Sequence, residues 1–180
     1  MQKTVDKIAV IICAYTMDRW SDLIAAVESV ESQTLAPEQI IVVVDHNPDL
    51  LERVRLRFPT VTAVPNNEIP GLSGARNSGI AAASGEIVAF LDDDAVAAPK
   101  WLENLTAEYC DSNTMAAGGA IEPSWQEGRP PWFPEEFNWV VGCTYRGMPE
   151  SAAHVRNLIG ANMSFRGSVF ADIGGFRNEM

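Results

Sequence analysis

Positive charge is what this chain has least of. Among its 180 residues, 13 lysines and arginines face 24 aspartates and glutamates, for a formal net charge of -11 and a sequence pI near 4.5. The acidic residues are spread along the chain, which argues against a broad phosphate-backbone surface and against a nucleic-acid partner. A small phosphorylated ligand, held by one or two arginines and backbone amides, stays compatible with that balance. Long apolar runs are missing as well: nothing approaches the roughly 20 residues of a membrane span. Residues 7–15 are apolar, but they lead into a polar helical stretch without a cleavage site, so they read as a buried strand and not as a signal peptide. Cys13, Cys110 and Cys143 are odd in number and far apart. They form neither a disulfide framework nor a zinc site, and point to a reducing, cytoplasmic setting. There is no G-x-G-x-x-G, no G-x-x-x-x-G-K-[ST], no Ser-His-Asp or Cys-His arrangement and no internal repeat.

The 47% apolar content suits one compact domain over residues 1–180. "KIAVIICAY" (7–15) and "QIIVVVD" (39–45) are nearly continuous apolar runs, as expected of strands buried on both faces. Between them Trp20, Leu23, Ile24, Val27 and Val30 recur at helical spacing, with Asp18 or Ser21 as the N-cap. A charged helix over 50–58, a strand over 61–66, a small-residue helix over 75–83 and a strand over 86–92 follow, then a helix with Pro99 near its first turn. Strands alternating with helices predict an α/β fold with a mainly parallel sheet flanked by helices. Near Ile121 the texture changes to a proline- and tryptophan-rich stretch with poor periodicity, read as a loop-dominated excursion. From Asn157 a strand-like piece and a short helix return.

In open parallel sheets, ligands bind at the carboxyl ends of the strands. Three polar clusters fall there: Ala14-Tyr15-Thr16, Asp45-His46-Asn47 and Asp92-Asp93-Asp94. Three adjacent carboxylates repel one another and need a cation, donors or water. If the chain stays extended, Asp92 and Asp94 flank a common point while Asp93 faces elsewhere. Two carboxylates there suit Mn²⁺ or Mg²⁺. The plainer alternative is a cap for the helix near Pro99, which one carboxylate would satisfy.

"PGLSGARNSG" (70–79) reads as a flexible turn entering a helix, with Arg76 in the first turn. A cation there opposes the macrodipole, so Arg76 is expected to have an anionic partner, either these carboxylates or a ligand phosphate. Trp125, Trp132 and Trp139 form either a stacking platform for a sugar or a small core anchoring the loop. His46 and His154 are solitary and read as structural or exposed.

Taken together, "VIICAYTMDRWSDLIAAVESVESQT", "IIVVVDHN", "GLSGARNSGIAAASGEIVAFLDDDAV" and "GANMSFRGSVFADIGGF" resemble, in order, the family 2 glycosyltransferases, which have the GT-A fold. That resemblance implies inverting transfer of a sugar from a nucleotide diphosphate donor, with Mn²⁺ or Mg²⁺. It implies that Ala14, Tyr15, Thr16 and Asp45 line the base and ribose pocket, with Arg76, Asp92 and Asp93 also on the nucleotide. Asp92 and Asp94 become the D-x-D motif, with Asp94 favoured as the direct metal ligand. Residues 1–120 are the nucleotide-binding part and 121–180 the acceptor side, where Trp132, Asn162, Gly174 and Gly175 lie. "DDDAVAAPKWLENL", the tryptophan-rich stretch and "RNLIGANMSFR" also look like the glucosyl-dolichyl phosphate glucuronosyltransferases, implying a UDP-hexose or UDP-hexuronic acid donor and a glycan or lipid-linked acceptor.

Two departures qualify the match. The family's "VVDDGS" is here "VVVDHN", and its acidic general base lies some way beyond the "GGF" element, which only four residues follow in this sequence. The sequence is therefore read as part of a longer protein whose base lies beyond Met180, with membrane contact through that missing region at the cytoplasmic face. The competing enzyme is a haloacid-dehalogenase-type phosphatase, since Asp92 to Val96 fits D-x-D-x-[TV] with Asp92 as nucleophile and Asp94 as acid/base. It lacks the later lysine that such enzymes need. A nucleotide-sugar-binding module without catalysis is the non-enzyme alternative.

Overall fold

A computed structural model describes residues 7–178. The chain runs β1 (Ile8–Ala14), a 3-10 turn (Met17–Arg19), α1 (Trp20–Glu31), β2 (Gln39–Val44), α2 (Pro48–Arg57), β3 (Thr62–Pro65) and α3 (Leu72–Ala82). It continues with β4 (Ile87–Asp92), α4 (Trp101–Glu108), β5 (Ala116–Gly118), a 3-10 stretch (Glu135–Val141), β6 (Asn162–Arg166) and α5 (Gly167–Ile173). The six strands form one sheet in the order β3-β2-β1-β4-β6-β5. β1 pairs parallel with β2 and β4, and β2 with β3, whereas β6 runs antiparallel to both β4 and β5.

The continuous apolar strands follow from burial on both faces. Along β1, Ile8, Val10, Ile12 and Ala14 pack under α1, α2 and α4, against Leu23, Val27, Leu50, Val54 and Leu102. The alternate residues Ala9 and Ile11 turn to the other face and meet Ala75 of α3, with Ile41, Val43 and Phe90 from neighbouring strands. Each such large aliphatic side chain, withdrawn from water, contributes about 1.5–3 kcal/mol. The chain leaves β3 at one edge and re-enters beside β1 as β4, so the winding direction reverses between β1 and β4. A crevice opens at that reversal, outside the carboxyl ends of the strands.

Several local expectations are corrected. The helix expected from Trp20 is preceded by a 3-10 turn capped by Thr16, whose Oγ1 accepts from the Asp18 amide at 3.2 Å; neither Asp18 nor Ser21 caps α1. α2 begins at Pro48, where Asn47 Oδ1 accepts from the Leu50 amide. α3 starts at Leu72, which moves Arg76 from the first turn into the second. The three-residue β5 was not anticipated. Its Ala-Ala-Gly sequence carries no strand signal and it owes its place to pairing with β6. Residues 119–161 are largely irregular, as expected.

Candidate functional site

The carboxyl ends of β1, β2 and β4 open into one cavity of about 340 Å³. Cys13, Ala14 and Tyr15 line it from β1 and its exit, Asp45 from the end of β2, and Asp92, Asp93 and Asp94 from the end of β4. Arg19 from the 3-10 turn, with Gly71, Leu72 and Ala75 from the start of α3, completes the wall. The three strand-end clusters thus meet in space. Thr16 does not line the cavity; its hydroxyl serves the turn cap.

Asp45 is held by both carboxylate oxygens. Its Oδ1 accepts from Asn66 Nδ2 at 2.6 Å, and its Oδ2 from the Gly71 amide at 2.8 Å. Asn66 is oriented in turn, because its Oδ1 accepts from Ser78 Oγ and from the Glu68 amide. Ser78 lies within "PGLSGARNSG" but was not singled out there, and Asn66 closes the third strand segment without a motif; what joins them to Asp45 is geometry.

The chain does not stay extended through the aspartates. β4 ends at Asp92, and the Ala95 amide donates to the Asp92 carbonyl at 3.2 Å, closing a turn. Asp93 does not face elsewhere, contrary to expectation: the turn brings it onto the same cavity wall and the same arginine as Asp94, although it is buried while Asp94 is exposed and Asp92 half-buried. Arg19 Nη1 lies 3.1 Å from Asp93 Oδ1 and 3.1 Å from Asp94 Oδ2. Asp93 Oδ2 is buried without a hydrogen-bond partner among the described residues. Burial pushes the Asp93 carboxyl above the usual aspartate range, against the pull of Arg19. Burial also raises Asp92, opposed by Arg76 and reinforced by Asp94. The question of what balances the three charges is answered, within the chain, mainly by two arginines. Sequence reasoning missed Arg19, and the surplus of carboxylate at residues 92–94 was the signal that a second cation had to lie nearby.

Arg76 finds the anionic partner expected of it, Asp92 Oδ1 at 3.5 Å. It is not on the cavity wall. Its side chain is 12% exposed, donates to the Gly160 carbonyl at 3.1 Å and lies over the rings of Phe90 and Phe176. It therefore supports Asp92 from behind.

The residues expected on the acceptor side do not gather at the cavity. Trp132 is 79% exposed with its ring edge-on to Phe133. Asn162 is buried, and both ends of its amide are engaged, Oδ1 by Trp101 Nε1 and Nδ2 by the Ala120 carbonyl. It is a packing residue and not an open surface group. Gly174 ends α5 at φ +83°, and Gly175 presses on the Asn77 amide so closely that a Cβ would collide with it. Both glycines serve the chain path, where Asn77 brackets the Phe176 backbone by accepting from its amide and donating to its carbonyl. Trp125 stacks edge-on with Phe133 under Arg129, which favours the small-core alternative for this tryptophan.

Among the described residues no three or more His, Cys, Asp or Glu side chains converge as a ready-made metal site. Asp92 and Asp94 offer two hard oxygen donors beside an open cavity. That donor set fits a divalent cation that completes its shell with water and phosphate oxygens.

The Glycosyl transferase family 2 profile matches residues 9–174. A glucosyl-dolichyl phosphate glucuronosyltransferase of Haloferax volcanii is 40% identical over 174 residues, covering 94% of this chain and 56% of that protein. The chain thus spans about half the length of this relative. Among solved structures, a Pyrobaculum calidifontis mannosyltransferase in complex with GDP-Man and Mn²⁺ superposes with a TM-score of 0.72 at 20% identity, over 98% of this chain and 49% of that one. S. aureus TarS in complex with UDP-GlcNAc gives 0.64 at 16% identity, over 92% and 47%. These likenesses establish the GT-A fold. With the profile spanning nearly the whole sequence and the strand-end aspartates in one cavity, the chain belongs to glycosyl transferase family 2.

Proposed function

We propose that the protein transfers a sugar, with inversion, from a nucleotide diphosphate sugar to a glycan or lipid-linked acceptor, assisted by Mn²⁺ or Mg²⁺. The observation that carries this reading is the convergence of Tyr15, Asp45, Asp92 and Asp94 on one cavity at the β1/β4 reversal. Tyr15 and the doubly held Asp45 would receive the base and ribose, along with the Ala14 backbone. Asp94 and Asp92 would hold the cation, which when bound neutralises the departing diphosphate. Arg76 keeps Asp92 in place. In the reaction an acceptor oxygen attacks the anomeric carbon as the bond to the diphosphate breaks. No carboxylate of this chain is assigned as the base that takes the acceptor's proton.

The Haloferax relative's name, a glucuronosyltransferase of glucosyl-dolichyl phosphate, supports a hexuronic acid donor and a lipid-linked acceptor, and we take the nucleotide to be UDP. The nucleotide-sugar complexes of the structural neighbours support the donor class, and the Mn²⁺ in one of them supports the metal. Such an acceptor would bring the protein to the cytoplasmic face of a membrane, although no described helix is long and apolar enough to cross one. The phosphatase alternative loses its footing, because its nucleophile ends the first strand of its fold whereas Asp92 ends β4.

Calorimetry with UDP tests the proposal. UDP is expected to bind the wild type in the presence of Mn²⁺, with at least a tenfold loss on removing the metal or on Asp94→Ala. Equal affinity with and without Mn²⁺ would remove the metal-diphosphate reading.

A further inference from the structure

Arg19 connects the two sides of the crevice. It leaves the chain just after β1, beside Tyr15, and reaches the turn after β4, 74 residues further on. A single nitrogen, Nη1, stands 3.1 Å from both Asp93 and Asp94, yet the two partners differ sharply in environment. The Asp93 side chain is 6% exposed and that of Asp94 49%. A half-exposed ion pair is worth little and exchanges readily, whereas a carboxylate that is itself buried resists losing the cation that balances it. Arg19 hydrogen-bonds Asp93 but makes only an ion pair with Asp94, so one contact is an anchor and the other is easily given up.

The charges favour such an exchange. Asp92, Asp93 and Asp94 carry three negative charges against two positive ones from Arg19 and Arg76. At Asp94 the guanidinium, shared with Asp93, would compete poorly against a divalent cation. The guanidinium has five N–H donors in a fixed fork, and its contacts with Asp93 and Asp94 both use one nitrogen, Nη1. Its side chain is 40% exposed and lines the cavity.

We propose that Arg19 is a positioning residue that holds Asp94 while the cation is absent, yields it to the metal, and then offers its free N–H groups to the donor's diphosphate while anchored on Asp93. This rests on the metal-dependent reading given above. It makes Arg19 a competitor of the bare cation and a partner of the nucleotide, two effects of opposite sign from one side chain.

The test compares wild type, Arg19→Met and Arg19→Lys. Binding of Mn²⁺ alone is followed by the electron paramagnetic resonance of the free ion, and binding of UDP and of GDP at saturating Mn²⁺ by calorimetry. Removing the competing charge in Arg19→Met should tighten Mn²⁺ alone by roughly threefold to tenfold. The same change should weaken the nucleotide by about tenfold or more, because a charge-assisted contact is lost. Arg19→Lys, which keeps the charge but not the fork, should return Mn²⁺ affinity to within about twofold of wild type and leave the nucleotide weakened. Opposite shifts cannot arise from partial unfolding, which would lower both. If both affinities fall together, or neither moves, Arg19 merely supports the aspartates and the proposal is overturned. If the wild type binds no Mn²⁺ even with UDP or GDP, the metal-dependent reading itself fails and the exchange falls with it.

Discussion

Trp101 and Asn162 are joined by a buried hydrogen bond, in which the indole Nε1 donates to Oδ1 at 2.8 Å. The Asn162 Nδ2 donates to the Ala120 carbonyl at 3.1 Å, so one side chain ties α4, β6 and the start of the irregular segment together. Asn162→Ala would strand the buried Trp101 indole N–H, at about 1–3 kcal/mol when unpaired, while the Ala120 carbonyl lies on an exposed residue where water can replace the lost donor. We expect a stability loss of about 1–3 kcal/mol, read from urea unfolding, while UDP binding by the folded protein stays unchanged. A loss below about 0.5 kcal/mol would show that solvent or local repacking satisfies the indole as well.

The sheet was legible because β1 is apolar throughout and β2 and β4 are apolar but for Gln39 at the start of one and Asp92 at the end of the other, the mark of strands covered on both faces. The strand-end aspartates were legible for the same reason: they are the first charges after those runs. What escaped was set by pairing across the crevice. Arg19 sits in an unremarkable polar turn, and only the fold brings it to Asp93. Asn162 was placed on the acceptor side by the resemblance, and nothing local tells that Trp101 will meet it from α4. The start of α3 was read late because Gly71 and Gly74 suppress helix propensity, although Gly71 at φ +122° is what turns the chain into the helix.

Gly79 marks the tightest approach of α3 to the sheet. A Cβ there would stand 2.6 Å from Ile11 Cγ2 and 3.1 Å from Val43 Cγ2. Gly79→Ala should therefore destabilise despite the gain of about 1 kcal/mol in helix propensity, since overpacking costs about 1–3 kcal/mol. A melting temperature lowered by about 2–6 °C is expected for a chain of this size, by differential scanning calorimetry. A rise would mean that α3 lifts from the sheet at no cost.

Tyr109 is fully buried, and its hydroxyl bonds Ser164 Oγ at 2.8 Å. Burial pushes the phenol up to about 12 from an ordinary 10.0. A group whose pKa is raised by folding contributes stability that is fully present below the ordinary value and is lost as pH climbs through the folded one. Stability should thus decline between pH 10 and 12, by an amount on the order of 1–3 kcal/mol. Tyr109→Phe should flatten that limb of the pH profile at a cost in stability at neutral pH. Tyrosinate absorbance provides the readout: one of the three tyrosines should ionise only with unfolding. Three independent ionisations near 10 in the native protein would contradict the buried placement.

Cys13 lies on the cavity wall, paired in register with Asp92. Burial is the main cause that holds its thiol up at about 12, with Asp92, Asp93 and Asp45 adding to the rise and Arg76 opposing it. Because the thiolate is the reactive form, Cys13 should be inert at pH 8 despite facing the cavity. Cys143 is buried and its thiol is also raised, chiefly by burial, whereas Cys110 is exposed. With Ellman's reagent at pH 8, one rapid equivalent per chain is expected, and it should vanish in Cys110→Ser. Fast labelling that survives in Cys110→Ser but is lost in Cys13→Ser would show that the crevice is wetter, and its carboxylates less dominant, than the packing around β1 and β4 implies.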